Sequence, residues 1–284
     1  MSKKQLIAAF LDATLISRFL FWAGNKKYGQ HIRVINYHRS GPKTLANFEQ
    51  QLQFYAQNYR PVDYKDLQDF FASGKWIHNK PGLIISFDDG FRENYDYAVP
   101  LLEKYGFKGW FFIPTGYVDA SSTDQMEYIG KTSGKYDHTY EDGRYFMNWA
   151  EIDHLRKKHV VGCHTYTHHR MNINDTNEIL EHEVREAKQV MEQKLNHEIT
   201  IFCWVGGEEH TYSKAAAEKI KNAGYKYSFM TNSWPLTAGQ SPLQIQRSNI
   251  EANNPISLVR FQLSPLMDRY FTPKRLRVCA LTNV

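Results

Sequence analysis

The chain has 284 residues, 42% of them hydrophobic and 23% charged, a balance that excludes a disordered polypeptide and suits one large α/β domain. Its formal charge of +5 comes from 35 basic and 30 acidic residues, with pairs such as Lys26-Lys27 and no Lys/Arg run longer than Arg156-Lys157-Lys158, which argues against nucleic acid as a partner. Cys163, Cys203 and Cys279 are odd in number and far apart, which excludes a disulfide framework or a zinc knuckle and fits a reducing compartment.

At the N-terminus, Lys3-Lys4 ahead of Leu6–Phe10 superficially resembles a signal peptide. Asp12 and Arg18 interrupt the apolar stretch, and no small-x-small cleavage site follows before Trp22, so cytoplasmic placement, peripheral to the inner membrane as an alternative, is expected. Leu6, Phe10, Leu15, Phe19 and Leu20 fit one face of a single amphipathic helix. Packing of that face on the main domain is expected, with rest on a membrane surface as the alternative. No segment approaches the ~20 uninterrupted apolar residues of a spanning helix. Residues 1–29 are therefore read as a helical extension, and 30–284 as one domain ending in a helix.

From residue 30 onward, short apolar runs alternate with helix signals. Strands are expected at Arg33–His38, Leu83–Asp88, Trp110–Pro114, Val160–His164, Thr200–Val205, Lys226–Met230 and Leu243–Ser248. Thr44, Asp63, Asn148 or Asn177, and Ser213 are placed to cap helices, and a further helix runs from about Glu93 to Tyr105 before Gly106. This alternation predicts a mainly parallel sheet, either open and doubly wound or closed as a barrel. The polar stretch Asp119–Arg144 has no periodicity and reads as a loop, of a length usual for a lid or binding rim. The aromatic share of 14% serves a large core or, more sharply, sugar-stacking surfaces at a cleft.

Two strand ends carry chemistry. Ile84-Ile85-Ser86-Phe87-Asp88-Asp89-Gly90 ends a buried strand in adjacent carboxylates. Such a pair raises its own pKa values unless a cation fixes one carboxylate and leaves the other as a base. Gly90 lets the chain turn so that both face one end of the sheet, while helix capping is the plainer role for either aspartate. Val160–His164 ends in His164-Thr165-Tyr166-Thr167-His168-His169. Two imidazoles and a carboxylate suit zinc or a related divalent ion and leave positions open for water and substrate. On spacing alone the outer ligand is His168 or His169.

Ser86-Phe87-Asp88-Asp89-Gly90 resembles the first motif of the polysaccharide-deacetylase family (NodB homology, carbohydrate esterase family 4), and His164-Thr-Tyr-Thr-His168 resembles its second. The resemblance covers about residues 30–250 and implies a distorted (β/α) barrel with the site at the C-terminal ends of the strands. It further implies that Asp89, His164 and His168 hold a divalent metal, expected as Zn2+ with Co2+, Ni2+ or Mn2+ as alternatives, and that Asp88 is the general base.

The chain departs from the family's usual pattern in two places. No histidine follows Asn232 where the family has a late Leu-x-His. Asn36-Tyr37-His38-Arg39 instead resembles the N-terminal Tyr-His of a circularly permuted branch that includes poly-β-1,6-N-acetylglucosamine deacetylases, which makes His38 the expected acid. Cys203-Trp204-Val205-Gly206-Gly207 lacks the proline of the third motif, and an N–H near Gly206 or Gly207 is left to stabilise the oxyanion. Glu208-Glu209-His210 is read as a solvated turn. Arg247 sits where this branch has an arginine, implying a bidentate contact that orients Asp88. The resemblance implies a hydrolase removing N-acetyl groups from an amino-sugar polymer, oligosaccharide or glycolipid. The alternatives are a non-catalytic carbohydrate-binding descendant and an amidase for small C–N bonds.

Overall fold

The computed structural model describes residues 3–14, 16–132 and 140–284. All seven apolar runs are strands, and among the described residues nine strands form one parallel sheet. They are β1 (Ile32–Tyr37), β2 (Arg60–Pro61), β3 (Gly82–Phe87), β4 (Gly109–Ile113), β5 (Val160–Cys163), β6 (Ile201–Cys203), β7 (Tyr227–Met230), β8 (Ile245–Gln246) and β9 (Ser248–Asn249). The order is β8-β7-β6-β5-β4-β3-β1-β9, with β2 beside β3. The last expected strand is thus split around Arg247. Ile245-Gln246 pairs with Phe229-Met230 of β7, while Ser248-Asn249 pairs with Ile35-Asn36 of β1. One short segment joins both edges of the sheet and closes it into a distorted barrel.

Parallel strands covered on both faces read as continuous apolar runs, and β1, β3, β4 and β7 are buried throughout. Their period of two separates two packing layers. Val34, Ile84, Trp110, Phe112, Cys203, Phe229 and Ile245 form an inner cluster, completed by Leu67 and Phe70 of the helix Tyr64–Ser73. Tyr37, Phe87 and Phe111 belong to the outer layer against the helices, with Phe87 stacked on Phe111 at 5.1 Å. Gly162 keeps β5 close to its neighbours, because a Cβ there would lie 3.0 Å from Ile201 O.

Several helix boundaries follow the expected caps. Asp63 and Asn148 each form a reciprocal capping box, with Asp66 and Glu151 respectively, and Ser213 caps Lys214–Asn222. Thr176, rather than Asn177, caps the helix that begins at Asn177. Thr44 precedes Leu45–Asn58 without accepting a capping bond. Within Asp119–Arg144, Ser122–Thr132 is helical, so the segment is not wholly a loop; residues 133–139 lie outside the described residues.

The N-terminal segment differs from the single helix expected. α1 (Lys3–Ala13) and α2 (Ile16–Tyr28) meet at 91°. Thr14 Oγ1 donates to Phe10 O at 2.9 Å, ending α1, while Asp12 accepts from Ser17 and from Arg260 across the corner. The expected apolar face does not pack inward. Leu6, Phe10 and Phe19 are exposed, and Ala8, Ser17, Phe21 and Gly24 are the buried positions. Leu15 lies outside the described residues. Among the described residues no single helix is long and apolar enough to cross a membrane.

A buried ion pair ties β1 to the C-terminal helix Pro265–Leu281. Arg33 Nη1 and Nη2 donate to Asp268 Oδ1 and Oδ2 at 2.8 and 2.6 Å, and Tyr28 and Ser233 also donate to Asp268. Asp268→Ala leaves a buried guanidinium unpaired and is expected to cost about 3–5 kcal/mol of stability. Urea unfolding checks this: the double variant with Arg33→Met should recover much of the loss, and equal losses in single and double variants would count against the pair.

Candidate active site

The inner face of the barrel leads directly to the site. Continuing the alternation two residues at a time, Ile32-Val34-Asn36 reaches His38, Ile84-Ser86 reaches Asp88, Gly162 reaches His164, and Ile245 reaches Arg247, Asn249 and Glu251. The last rungs of the sheet pin these positions. Asp88 N–H donates to Tyr37 O at 2.9 Å, His164 N–H to Ile113 O at 2.9 Å, and Arg247 N–H to Met230 O at 2.7 Å. Asp89 has the opposite parity. Left-handed backbone at Asp89 (φ 71°) and Gly90 (φ 70°) turns it back toward the cleft, a conformation that aspartate tolerates and glycine adopts freely.

Asp88, Asp89, His164, His168 and His38 line one cleft of about 350 Å³, and Arg247 lies beneath it against Asp88. Asp89 Oδ1 is 2.9 Å from His168 Nε2 and 3.6 Å from His164 Nε2. His169 is taken out of contention because its Nε2 contacts Asp175 Oδ1 at 2.9 Å. His164 Nδ1 meets Cys203 O at 2.9 Å. A carbonyl only accepts, so Nδ1 carries the proton and Nε2 presents a lone pair toward Asp89. Asp89 Oδ1 is then a buried oxygen that faces the His164 lone pair and the His168 Nε2 atom, an arrangement that a cation satisfies.

Asp88, His164 and Cys203 form a second group of potential ligands. Both Asp88 oxygens are already engaged by Arg247, at 2.6 and 2.9 Å. Burial also pushes the Cys203 thiol well above its usual pKa, which keeps it protonated and a poor ligand. The residues present therefore fit a divalent ion at Asp89, His164 and His168. Burial alone would raise Asp88, but the Arg247 charge outweighs it and holds the carboxyl below its usual range.

His38 Nδ1 lies 3.2 Å from Glu251 Oε1, and the imidazole is 40% exposed. Desolvation opposes its charged form, yet Glu251, Asp89 and Asp88 outweigh this and push the imidazole up to about 9.

Sequence reading missed the side chains that hold the loops. Glu93 Oε1 accepts from Arg39 Nε and Ser40 N–H, and Asn94 Nδ2 donates to His38 O at 2.9 Å, fixing the loop after β1. Glu183, buried in a π-helical turn, accepts from the N–H groups of Tyr166 and Thr167 and from Thr167 Oγ1, between the two histidines. Tyr128, from the stretch expected as a rim, places its ring edge-on to His168 at 5.5 Å. Phe271 and Lys274 of the C-terminal helix also line the cleft, and Lys274 Nζ donates to Gly207 O at 2.6 Å. Glu208-Glu209-His210 is an exposed turn as expected, with Glu208 at the cleft wall accepting from Gly207 N–H.

Residues 75–228, carrying both motifs and both histidines, match the sequence profile of the family described as polysaccharide deacetylase. The chain belongs to the polysaccharide deacetylase family. The family is metal-dependent, and the Asp89, His164 and His168 cluster is able to hold an ion. Among curated relatives, the poly-β-1,6-N-acetyl-D-glucosamine N-deacetylase of Escherichia coli (strain K12) is 23% identical over 262 residues, covering 82% of this chain and 37% of that protein. YxkH of Bacillus subtilis is 23% identical over 206 residues, covering 64% of each chain. The chain thus spans less than two thirds of the length of these relatives. Among solved structures, IcaB from Ammonifex degensii has a TM-score of 0.64 at 20% identity, covering 82% of this chain and 96% of that one. The Streptococcus pyogenes deacetylase PplD has a TM-score of 0.63 at 17% identity, covering 83% and 98%. These two share the barrel fold.

Proposed function

We propose that this protein is a metal-dependent hydrolase that removes acetyl groups from N-acetylated amino sugars in a polymer, oligosaccharide or glycolipid. The observation that carries the reading is the convergence, in one cleft, of Asp89, His164 and His168 with the Arg247-held Asp88 and the Glu251-held His38. Two imidazoles and one carboxylate suit Zn2+ first, then Co2+, Ni2+ or Mn2+. When bound, such an ion polarises the acetamide carbonyl and acidifies water.

The chain's own residues do the rest. The Arg247 fork keeps Asp88 ionised and oriented, so that it takes a proton from the attacking water. Gly207 N–H is engaged by Glu208, which leaves Gly206, at φ 85°, to offer its N–H to the charge developing on the carbonyl oxygen. His38, in its protonated form, gives its proton to the sugar nitrogen as the C–N bond breaks, releasing acetate and amine.

The named activity of the E. coli relative makes β-1,6-linked N-acetylglucosamine oligomers the first substrates to test. Acetate release is compared for these, for β-1,4-linked oligomers and for acetamide. Release from the oligomers and not from acetamide is expected. Turnover of acetamide alone would make the protein a small-amide amidase, and release from none would make it a binding descendant of the barrel. Cytoplasmic placement belongs to the same proposal: Cys163, Cys203 and Cys279 are free thiols, as a reducing compartment keeps them. Recovery of the protein in a periplasmic or secreted fraction would refute it.

A further inference from the structure

The helix pair α1–α2 carries apolar residues on two sides. Its inner side is consumed by the C-terminal helix and by Leu45–Asn58: Gly24 abuts Pro265 so closely that a Cβ would lie 2.7 Å from Pro265 Cγ, and Phe21 packs on Phe54 and Tyr59. Its outer side shows Leu6, Ile7, Phe10, Ile16, Phe19 and Trp22, of which Phe10 and Phe19 are 66% and 62% exposed. At about 3.6 residues per turn, Leu6, Ile7 and Phe10 fall within roughly 100° of arc on α1, and Ile16, Phe19 and Trp22 within roughly 120° on α2. Phe19 and Trp22 are in ring contact at 6.0 Å. Single exposed apolar side chains are ordinary on a protein surface; a contiguous set marks a binding face.

The charge of this segment is predominantly positive. Residues 1–28 contain Lys3, Lys4, Arg18, Lys26 and Lys27 against the one acid Asp12, and Asp12 is already engaged by Arg260 at 2.7 Å. Lys26 Nζ lies 5.3 Å from the centroid of the Trp22 ring, the pairing of aromatic body and cationic tip that suits a lipid headgroup layer. The two helices turn through 91°, so they do not form one straight span, and apolar side chains share them with the protein-facing residues Ala8, Ser17 and Phe21. We infer that the outer face of α1–α2 docks on a bilayer containing anionic lipid, with Phe10, Phe19 and Trp22 in the acyl boundary and Arg18, Lys26 and Lys27 against the phosphates.

Flotation of the full chain with vesicles tests this independently of the proposed activity. The protein should float with phosphatidylcholine vesicles containing phosphatidylglycerol, and much less with phosphatidylcholine alone. Lys26→Gln/Lys27→Gln should lower partitioning on the order of tenfold, since each charge near an anionic surface contributes. Phe10→Ser/Phe19→Ser/Trp22→Ser should abolish flotation while keeping the circular dichroism spectrum and acetate release from soluble oligomers. Wild-type protein that fails to float with anionic vesicles, or a triple variant that floats equally well, would overturn the inference. So would sedimentation showing that Phe10, Phe19 and Trp22 instead hold two copies together.

Discussion

Asp89→Asn is expected to lose both its metal and its acetate release, whereas Asp88→Asn keeps the metal and loses turnover alone. The two carboxylates are neighbours in sequence and equally buried, yet the fold gives them different partners. Asp89 Oδ1 faces the Nε2 atoms of His164 and His168, while both Asp88 oxygens are held by Arg247. An amide at 89 removes the one anionic ligand from the cluster. An amide at 88 cannot accept the water proton, and the lost base is worth on the order of 10²–10⁴ in rate. It also leaves Arg247 buried without a counter-charge, so Asp88→Asn should unfold at lower urea concentration. Elemental analysis and single-turnover assays read the two effects apart. Equal metal contents in the two variants would end the division of roles.

The second large effect is expected at His38. His38→Ala should retain metal and fold and lose on the order of 10²–10⁴ in turnover, because an amine leaves poorly unless it is protonated. The acid form of His38 is the active one, so activity is present below its pKa and lost as pH rises through it. With Glu251, Asp89 and Asp88 acting on it the imidazole is raised to about 9. A divalent cation beside Asp89 cancels part of that field, so the alkaline limb of the pH–rate profile should fall between about 6.5, the ordinary imidazole value, and about 9. Glu251→Gln removes a raising charge and should move that limb to lower pH, and His38→Ala should abolish it. An unchanged limb in His38→Ala, or near-wild-type turnover with metal present, would remove His38 from the chemistry.

Much of this arrangement was legible in the chain because it is local. The apolar runs located every strand of the sheet except the two-residue β2, and period-two alternation from Val34, Ile84 and Ile245 leads to His38, Asp88 and Arg247 without further information. Asp63, Asn148 and Ser213 behave as caps because capping is decided within one helical turn. What escaped depends on distant partners. The split of Ile245–Asn249 follows from β7 on one side and β1 on the other. Glu93, Asn94 and Glu183 hold loops from other parts of the chain, and nothing in their own segments distinguishes them from solvated helix residues. Glu251 stands more than two hundred residues from His38, and only the fold shows that the two face each other. The apolar stripe Leu6, Phe10 and Phe19 has a helical period, but periodicity does not say which side faces the protein.

The central claim is that one divalent ion at Asp89, His164 and His168 is required for N-deacetylation. Protein stripped with chelator and titrated with Zn2+ is assayed for acetate released from β-1,6-linked N-acetylglucosamine oligomers. Activity that is absent after stripping, returns up to one ion per chain, and does not return in His164→Ala is the predicted result. Acetate release that persists in stripped protein, or that is restored equally in His164→Ala, would contradict it.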